Sequence, residues 1–160
     1  MQPGASLLVR SRGEFTEAVL AAVQATRREL VLADRDFRDW PLESAAGAAA
    51  LDAFLAADAA ARLRLLVADP DWLERQGARL ALLRQRHRGA IECRRIPASL
   101  FDGAGVVVGD RRHLLRRAHH GLFRGRLTLA DPSGVEPMAA RYDALWDEST
   151  HCLPATTLGL

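Results

Sequence analysis

The order of apolar and polar residues divides the chain into short strands and amphipathic helices. Leu7-Leu8-Val9 is a short apolar stretch. After Gly13, residues Phe15, Val19, Ala22 and Val23 recur at helical spacing through Arg27, which predicts a strand leading into a helix. Glu29-Leu30-Val31-Leu32-Ala33 is a continuous apolar run ended by the charged loop Asp34 to Pro41, as in a buried strand whose end is exposed. An Ala-rich segment from Glu43 to Ala61 places Ala48, Leu51, Phe54 and Leu55 on one face of a second helix. Arg62 to Ala68 is the next strand. Asp69-Pro70 then supplies an N-cap and a first helical residue for a third helix running to about His87, with Leu73, Leu80 and Leu83 inward. In the strand Ala90 to Ile96, Ile91 and Cys93 alternate with polar neighbours, which places it nearer a sheet edge, and Pro97 ends it.

The second half is richer in strands. Gly105-Val106-Val107-Val108 breaks at Gly109-Asp110 and a second run follows at once, so two short strands joined by a tight turn are expected. Arg126 to Ala130 adds another strand before the turn Asp131-Pro132-Ser133-Gly134. A last helix, Glu136 to Ser149, stacks Met138, Tyr142, Leu145 and Trp146. Its start is either a Ser133-x-x-Glu136 capping box or a helix opening one step later with Pro137 in the first position. This order describes one α/β domain over residues 1–150, with a mixed, largely parallel sheet flanked by helices. A loose C-terminal tail is expected over residues 151–160.

Composition narrows the class. A chain of 160 residues that is 49% apolar and 26% charged is globular and can bury a proper core. No run approaches the roughly 18 apolar residues of a membrane helix, and the first residues carry neither a cationic leader nor an apolar signal segment. No membrane insertion and a cytoplasmic location are therefore expected. Cys93 and Cys152 build neither a CxxC pair nor a zinc knuckle and read as ordinary thiols, and no metal or cofactor is expected. The net charge of +2 is too small to imply polyanion binding by itself, yet all 22 basic residues are Arg.

The candidate chemistry gathers after the Gly109-Asp110 turn. Arg111, Arg112, Arg116, Arg117, Arg124 and Arg126 are the densest cationic set, and guanidinium groups bind phosphate in bidentate fashion at any relevant pH. Strand alternation sends one Arg of each adjacent pair to each face, and together they suit a phosphorylated ligand or nucleic acid. The competing reading is a solvated face balanced by carboxylates elsewhere. His113, His119 and His120 are the candidate nucleophiles or metal ligands, but adjacent His119 and His120 in a strand point to opposite faces, which favours surface or structural roles. Asp34-x-Asp36 ends an apolar strand where α/β enzymes often place carboxylates, and loop capping is its simpler role. Trp40, Trp72 and Trp146 read as sheet-to-helix packing or parts of a dimer contact.

Several of these features resemble one half of a phospholipase D-like phosphodiesterase domain. They are the strand Leu63 to Ala68 after an Ala-rich helix, Asp69-Pro70 opening the next helix, the strand Ile91 to Ile96 ending at Pro97, the core Val106-Val107-Val108-Gly109-Asp110-Arg111, and a final helix with Tyr142-x-x-Leu145-Trp146. The diagnostic motif of that family is His-x-Lys-x4-Asp. Laid on the core, it meets Asp102, Ala104 and Gly109 in one register, and Gly103, Gly105 and Asp110 in the next. Neither register keeps the nucleophile or the lysine, and the chain contains no Lys. The resemblance thus implies the scaffold and argues against the chemistry. With the cationic set above, the reading is a non-catalytic binding or assembly module for a phosphate-bearing ligand or nucleic acid at Arg111, Arg112, Arg116, Arg117, Arg124, Arg126, His119 and His120. Because two halves pack together in the family, the resemblance also implies a homodimer. The alternatives are a protein-protein interaction module and, third, a phosphodiesterase with a rearranged His-based site.

Overall fold

Each apolar run becomes a strand and each period-3.6 segment a helix, in the order β1 (Ser6–Val9), α1 (Arg12–Ala25), β2 (Glu29–Asp34), α2 (Ala45–Ala57), β3 (Arg62–Val67), α3 (Asp71–Gln76), α4 (Ala78–Arg86), β4 (Ile91–Arg95), β5 (Gly105–Gly109), β6 (His113–Arg117), β7 (Gly125–Thr128), α5 (Pro132–Glu148) and β8 (Thr150–His151). The protein is known here from a computed structural model that describes residues 4–153. The strands form one eight-stranded sheet in the order β1-β7-β6-β5-β2-β3-β4-β8.

The α/β class and the mixed sheet stand, but the sheet is mostly antiparallel rather than largely parallel. Only β2–β3 and β3–β4 pair in parallel, and the other five pairings are antiparallel. The connections explain the difference. Helices link β2 to β3 and β3 to β4, and a crossover of that length permits parallel pairing. β5, β6 and β7 follow one another through short loops, which permit only antiparallel neighbours. β4 lies near the edge as its alternation implies, with only the two-residue β8 outside it. Within the expected tail, His151 pairs with Arg94 of β4, while residues 154–160 lie outside the described residues.

Local chemistry sets the helix ends. Ser11 Oγ accepts from the Glu14 N–H at 3.1 Å, and Glu14 reaches back to the Arg10 N–H at 2.8 Å, closing the start of α1. The expected third helix is two helices, because it breaks at Gly77, where an added Cβ would lie 2.3 Å from the Leu73 carbonyl oxygen. Pro70 is its cap residue rather than its first helical one; the Asp69 carboxylate accepts from the Asp71 N–H. α5 starts earlier than either expected position, with Pro132 first and Asp131 Oδ1 accepting from the Gly134 N–H at 3.1 Å.

The sheet divides the interior into two layers. Leu30, Leu32, Leu63, Leu65, Val107, Leu115 and Leu127 face α1, α2 and α4, and meet Phe15, Val19, Leu51, Leu55 and Leu80. Ala33, Leu66, Val106 and Val108 face α5, and meet Val135, Ala139, Tyr142 and Trp146. Each large side chain buried in this way contributes about 1.5–3 kcal/mol. Trp40 and Trp146 are buried packing residues, Trp40 standing edge-on to Phe15 and Phe37.

Candidate functional site

The period-2 pattern of β6 decides where its cations go. His113, Leu115 and Arg117 are buried, while Leu114 and Arg116 face the α5 side. Arg117 therefore enters the interior, where it is 1% exposed. There it meets Asp34, the last residue of β2 and itself 0% exposed, with Nη2 donating to Oδ1 at 3.2 Å. Its guanidinium carbon lies 4.8 Å from the Phe15 ring centroid and 5.5 Å from that of Phe123, so two aromatic faces line the cation. The other Asp34 oxygen accepts from the Phe37 N–H at 3.0 Å. This bond helps to hold Phe37 at φ 64°, an unusual backbone angle for a buried aromatic residue.

Gly105, the first residue of β5, completes this cluster. A Cβ there would lie 2.8 Å from Asp34 Oδ1 and 3.0 Å from Arg117 Nε, so the ion pair occupies the space a side chain would need. Close by, His119 and His120 follow β6 in a turn, and their rings stack at 4.4 Å with 25° between planes. Their expected separation to opposite faces fails because the strand ends at Arg117 and alternation ends with it. Arg35 Nη1 donates to His120 Nε2 at 3.0 Å, and the His120 N–H donates to the Gly103 carbonyl at 2.9 Å. Burial, followed by the nearby His119 and Arg35, pushes the His120 imidazole below its ordinary value. Its Nδ1 is enclosed without a hydrogen-bond partner among the described residues.

The other predicted residues lie elsewhere. Asp110 and Arg111 form the β5–β6 turn at the opposite end of the strands, with φ 50° and 56°. Arg111 donates to Glu136 and to Asp143 on α5, so carboxylates already neutralise it. Arg112 is exposed in the same turn. Arg116 and Arg126 stand directly opposite each other on β6 and β7, and Arg124 is exposed just before β7. The eight residues thus form no single patch. They divide among the turn, the β6–β7 face and the strand-end cluster of Arg117, His119 and His120.

Three contributors to that cluster were not assigned to it from sequence. Asp34 was visible as a carboxylate ending an apolar run, but its partner lies 83 positions away. Arg35 and Phe15 gave no signal beyond charge and helical period. Two clefts open on the α5 side. One of about 620 Å³ is lined by Arg62, Arg64, Arg111, Asp143 and Asp147, and one of about 340 Å³ by Phe101, Asp102, Arg141 and Tyr142. Among the described residues, no group of three or more His, Cys, Asp or Glu side chains is placed to hold a metal ion. No helix among them is long and apolar enough to cross a membrane.

The eight-stranded mixed sheet with helices on both faces has the fold of a phospholipase D-like domain. Solved structures bear this out. Nuc from Salmonella typhimurium, a phospholipase D family member, is similar with a TM-score of 0.65 at 11% identity, over 94% of this chain and 99% of its own. NucT from Helicobacter pylori is similar with a TM-score of 0.59 at 9% identity, over 92% of this chain and 99% of its own. TrmBL2, an archaeal chromatin protein described with a novel mode of DNA binding, gives a TM-score of 0.65 at 17% identity over 92% of this chain. This chain spans only 54% of TrmBL2. A comparison with curated proteins finds no match in sequence. Within this fold the chain belongs to DUF7931, a domain of unknown function whose family model matches residues 11–158.

Proposed function

We propose that this domain is a non-catalytic phospholipase D-like module that binds a phosphate-bearing ligand, nucleic acid in particular, through exposed cations beside its strand ends. The observation that carries this reading is the environment of Gly105. In the motif register that keeps Asp110, Gly105 stands at the lysine position, and Gly103 at the position of the nucleophilic histidine. The space above Gly105 is filled by Arg117, whose charge is matched by Asp34 and shielded from solvent. Asp110 is likewise engaged, accepting from the N–H groups of Arg27, Arg28 and Glu29 at 2.7–3.0 Å. A site built this way has no free nucleophile and no free phosphate-holding cation at its centre. The groups left for a ligand are outside it: the Arg35 and Arg124 guanidiniums with the His119 and His120 rings at the strand ends, and Arg116 with Arg126 on the adjoining face. The shared fold with TrmBL2, a DNA-binding chromatin protein, and with the phospholipase D relatives is consistent with this use.

The test is fluorescence anisotropy of labelled single- and double-stranded oligonucleotides at low and physiological salt. Arg124→Ala with Arg126→Ala is the variant of choice, because both side chains are exposed and the fold does not depend on them. Expected is saturable binding by the wild type that falls steeply with salt, and a salt slope smaller by about one unit per phosphate contact removed. A wild type that does not bind at low salt overturns the proposal, as does turnover of a nitrophenyl phosphodiester that His120→Ala abolishes.

A further inference from the structure

The two cysteines lie 59 positions apart in sequence, yet the structure brings them together. β8 runs antiparallel to β4 with Thr150 opposite Arg95 and His151 opposite Arg94, so the next step of the ladder sets Cys152 opposite Cys93. The Cys152 N–H donates to the Cys93 carbonyl at 3.1 Å, which continues the pairing. The two sulfurs are 3.0 Å apart. Residues directly opposite in an antiparallel pair have Cα atoms about 5.5 Å apart at most, inside the roughly 4.4–6.8 Å that a disulfide spans. Both are free thiols in this structure, and the long-range strand pairing that sets them side by side is one that residue spacing does not reveal.

We propose that Cys93 and Cys152 form a reversible disulfide that fastens the C-terminal strand β8 to the sheet edge at β4. Among the described residues, β8 makes two residue pairs with β4, His151 Nδ1 meets Glu92 at 3.2 Å in an exposed contact, the Arg84 guanidinium donates to the Leu153 carbonyl, and Cys152 and Leu153 rest half-buried against the core.

The order of events follows from burial and charge. Cys93 is enclosed in the core, whereas Cys152 is half-buried, so a dissolved oxidant meets Cys152 first. The hydrogen bond with Cys93, and the positive charge of Arg84, lower the Cys152 thiol against the opposing effect of burial, and the same bond and burial raise Cys93. The Cys152 thiolate attacks one sulfur of a low-molecular-weight disulfide such as oxidised glutathione and expels the first small thiolate. Cys93 then gives up its proton and attacks Cys152 Sγ, expelling the second. The two protein thiols lose two electrons and two protons, and the small disulfide gains both and leaves as two thiols. An excess of the reduced small thiol drives the same steps backwards.

The test equilibrates the whole chain in buffers of rising oxidised-to-reduced glutathione ratio, alkylates free thiols and measures intact mass and peptide mass, with hydrogen exchange on the end states. Expected is a monomeric product that escapes both alkylations and yields a Cys93–Cys152 cross-linked peptide. Exchange at residues 150–153 should be several-fold slower in the oxidised form. Cys152→Ser should form no link and exchange fast in both buffers. Cys93→Ala should instead collect glutathione on Cys152, which tests the order of attack even where Cys152→Ser folds poorly. No intramolecular disulfide at the most oxidising ratio overturns the proposal. So does a disulfide that leaves exchange at residues 150–153 unchanged.

Discussion

Arg117 shows how one residue's destination is set by the pattern around it and by a partner it cannot reveal. It shares a strand face with the buried Leu115, so period 2 carries it to the same enclosed side. A buried guanidinium is tolerable only when paired, and Asp34 is the pair. Removing one partner leaves a buried charge uncompensated, which typically costs about 3–5 kcal/mol, whereas removing both together is far milder. Arg117→Met should therefore lower unfolding stability by about that amount in urea titration. Adding Asp34→Asn removes the stranded charge and keeps an acceptor for the Phe37 N–H, so the double variant should recover part of the loss. A double variant no more stable than Arg117→Met would sink the ion-pair account. Alternation sends Arg116 and Arg117 to opposite faces, but it does not tell that Arg117 is the buried one or that Asp34 is its partner, because nothing local links β2 to β6.

At the scale of the element, the β5–β6 hairpin is anchored at its turn by two titratable groups. Burial works against a charged Asp110, but the N–H groups of Glu29, Arg27 and Arg28 outweigh it and hold the carboxyl below the usual carboxylate range. His113, the first residue of β6, accepts from the Ala130 N–H through Nδ1 at 3.0 Å, and burial chiefly lowers its imidazole below the ordinary value. The two act at different pH. The unfolded chain takes up the His113 proton near pH 6.5, while the folded chain resists until a lower pH, so this stabilisation is complete above about 6.5 and is lost as pH falls through the folded value. His120 shifts in the same direction and adds to the same window. Urea midpoints should thus be lower at pH 5 than at pH 7.5, and His113→Gln, which keeps an acceptor for Ala130, should flatten the difference. Equal wild-type midpoints at the two values would refute it. The hairpin was readable from its valine run and Gly109-Asp110. The direction of the sheet was not, because apolar runs look alike in either pairing and connection length, not the strand itself, decides it.

Taken as a whole molecule, the sheet is covered unequally: α1, α2 and α4 pack on one face, and α5 is the long helix on the other. α5 depends on Trp146, whose ring is buried under the guanidinium groups of Arg94 at 4.3 Å and Arg64 at 5.0 Å, while Arg94 also donates to the Trp146 carbonyl at 2.8 Å. It is tied to the β5–β6 turn through Arg111, which meets Glu136 and Asp143 at a partly exposed surface, where ion pairs contribute little. The face covered by this one helix is the face that should open first, as a unit below global unfolding. Trp146→Ala removes the indole and leaves a cavity, a change that typically costs about 3–5 kcal/mol. Because the loss falls on one layer, hydrogen exchange should accelerate across α5 and β8, which follows it directly, far more than across α1 and the centre of the sheet at β2, β3 and β5. If exchange instead rises by the same factor in α1 and α5, the two layers unfold together and the helix is no separate unit.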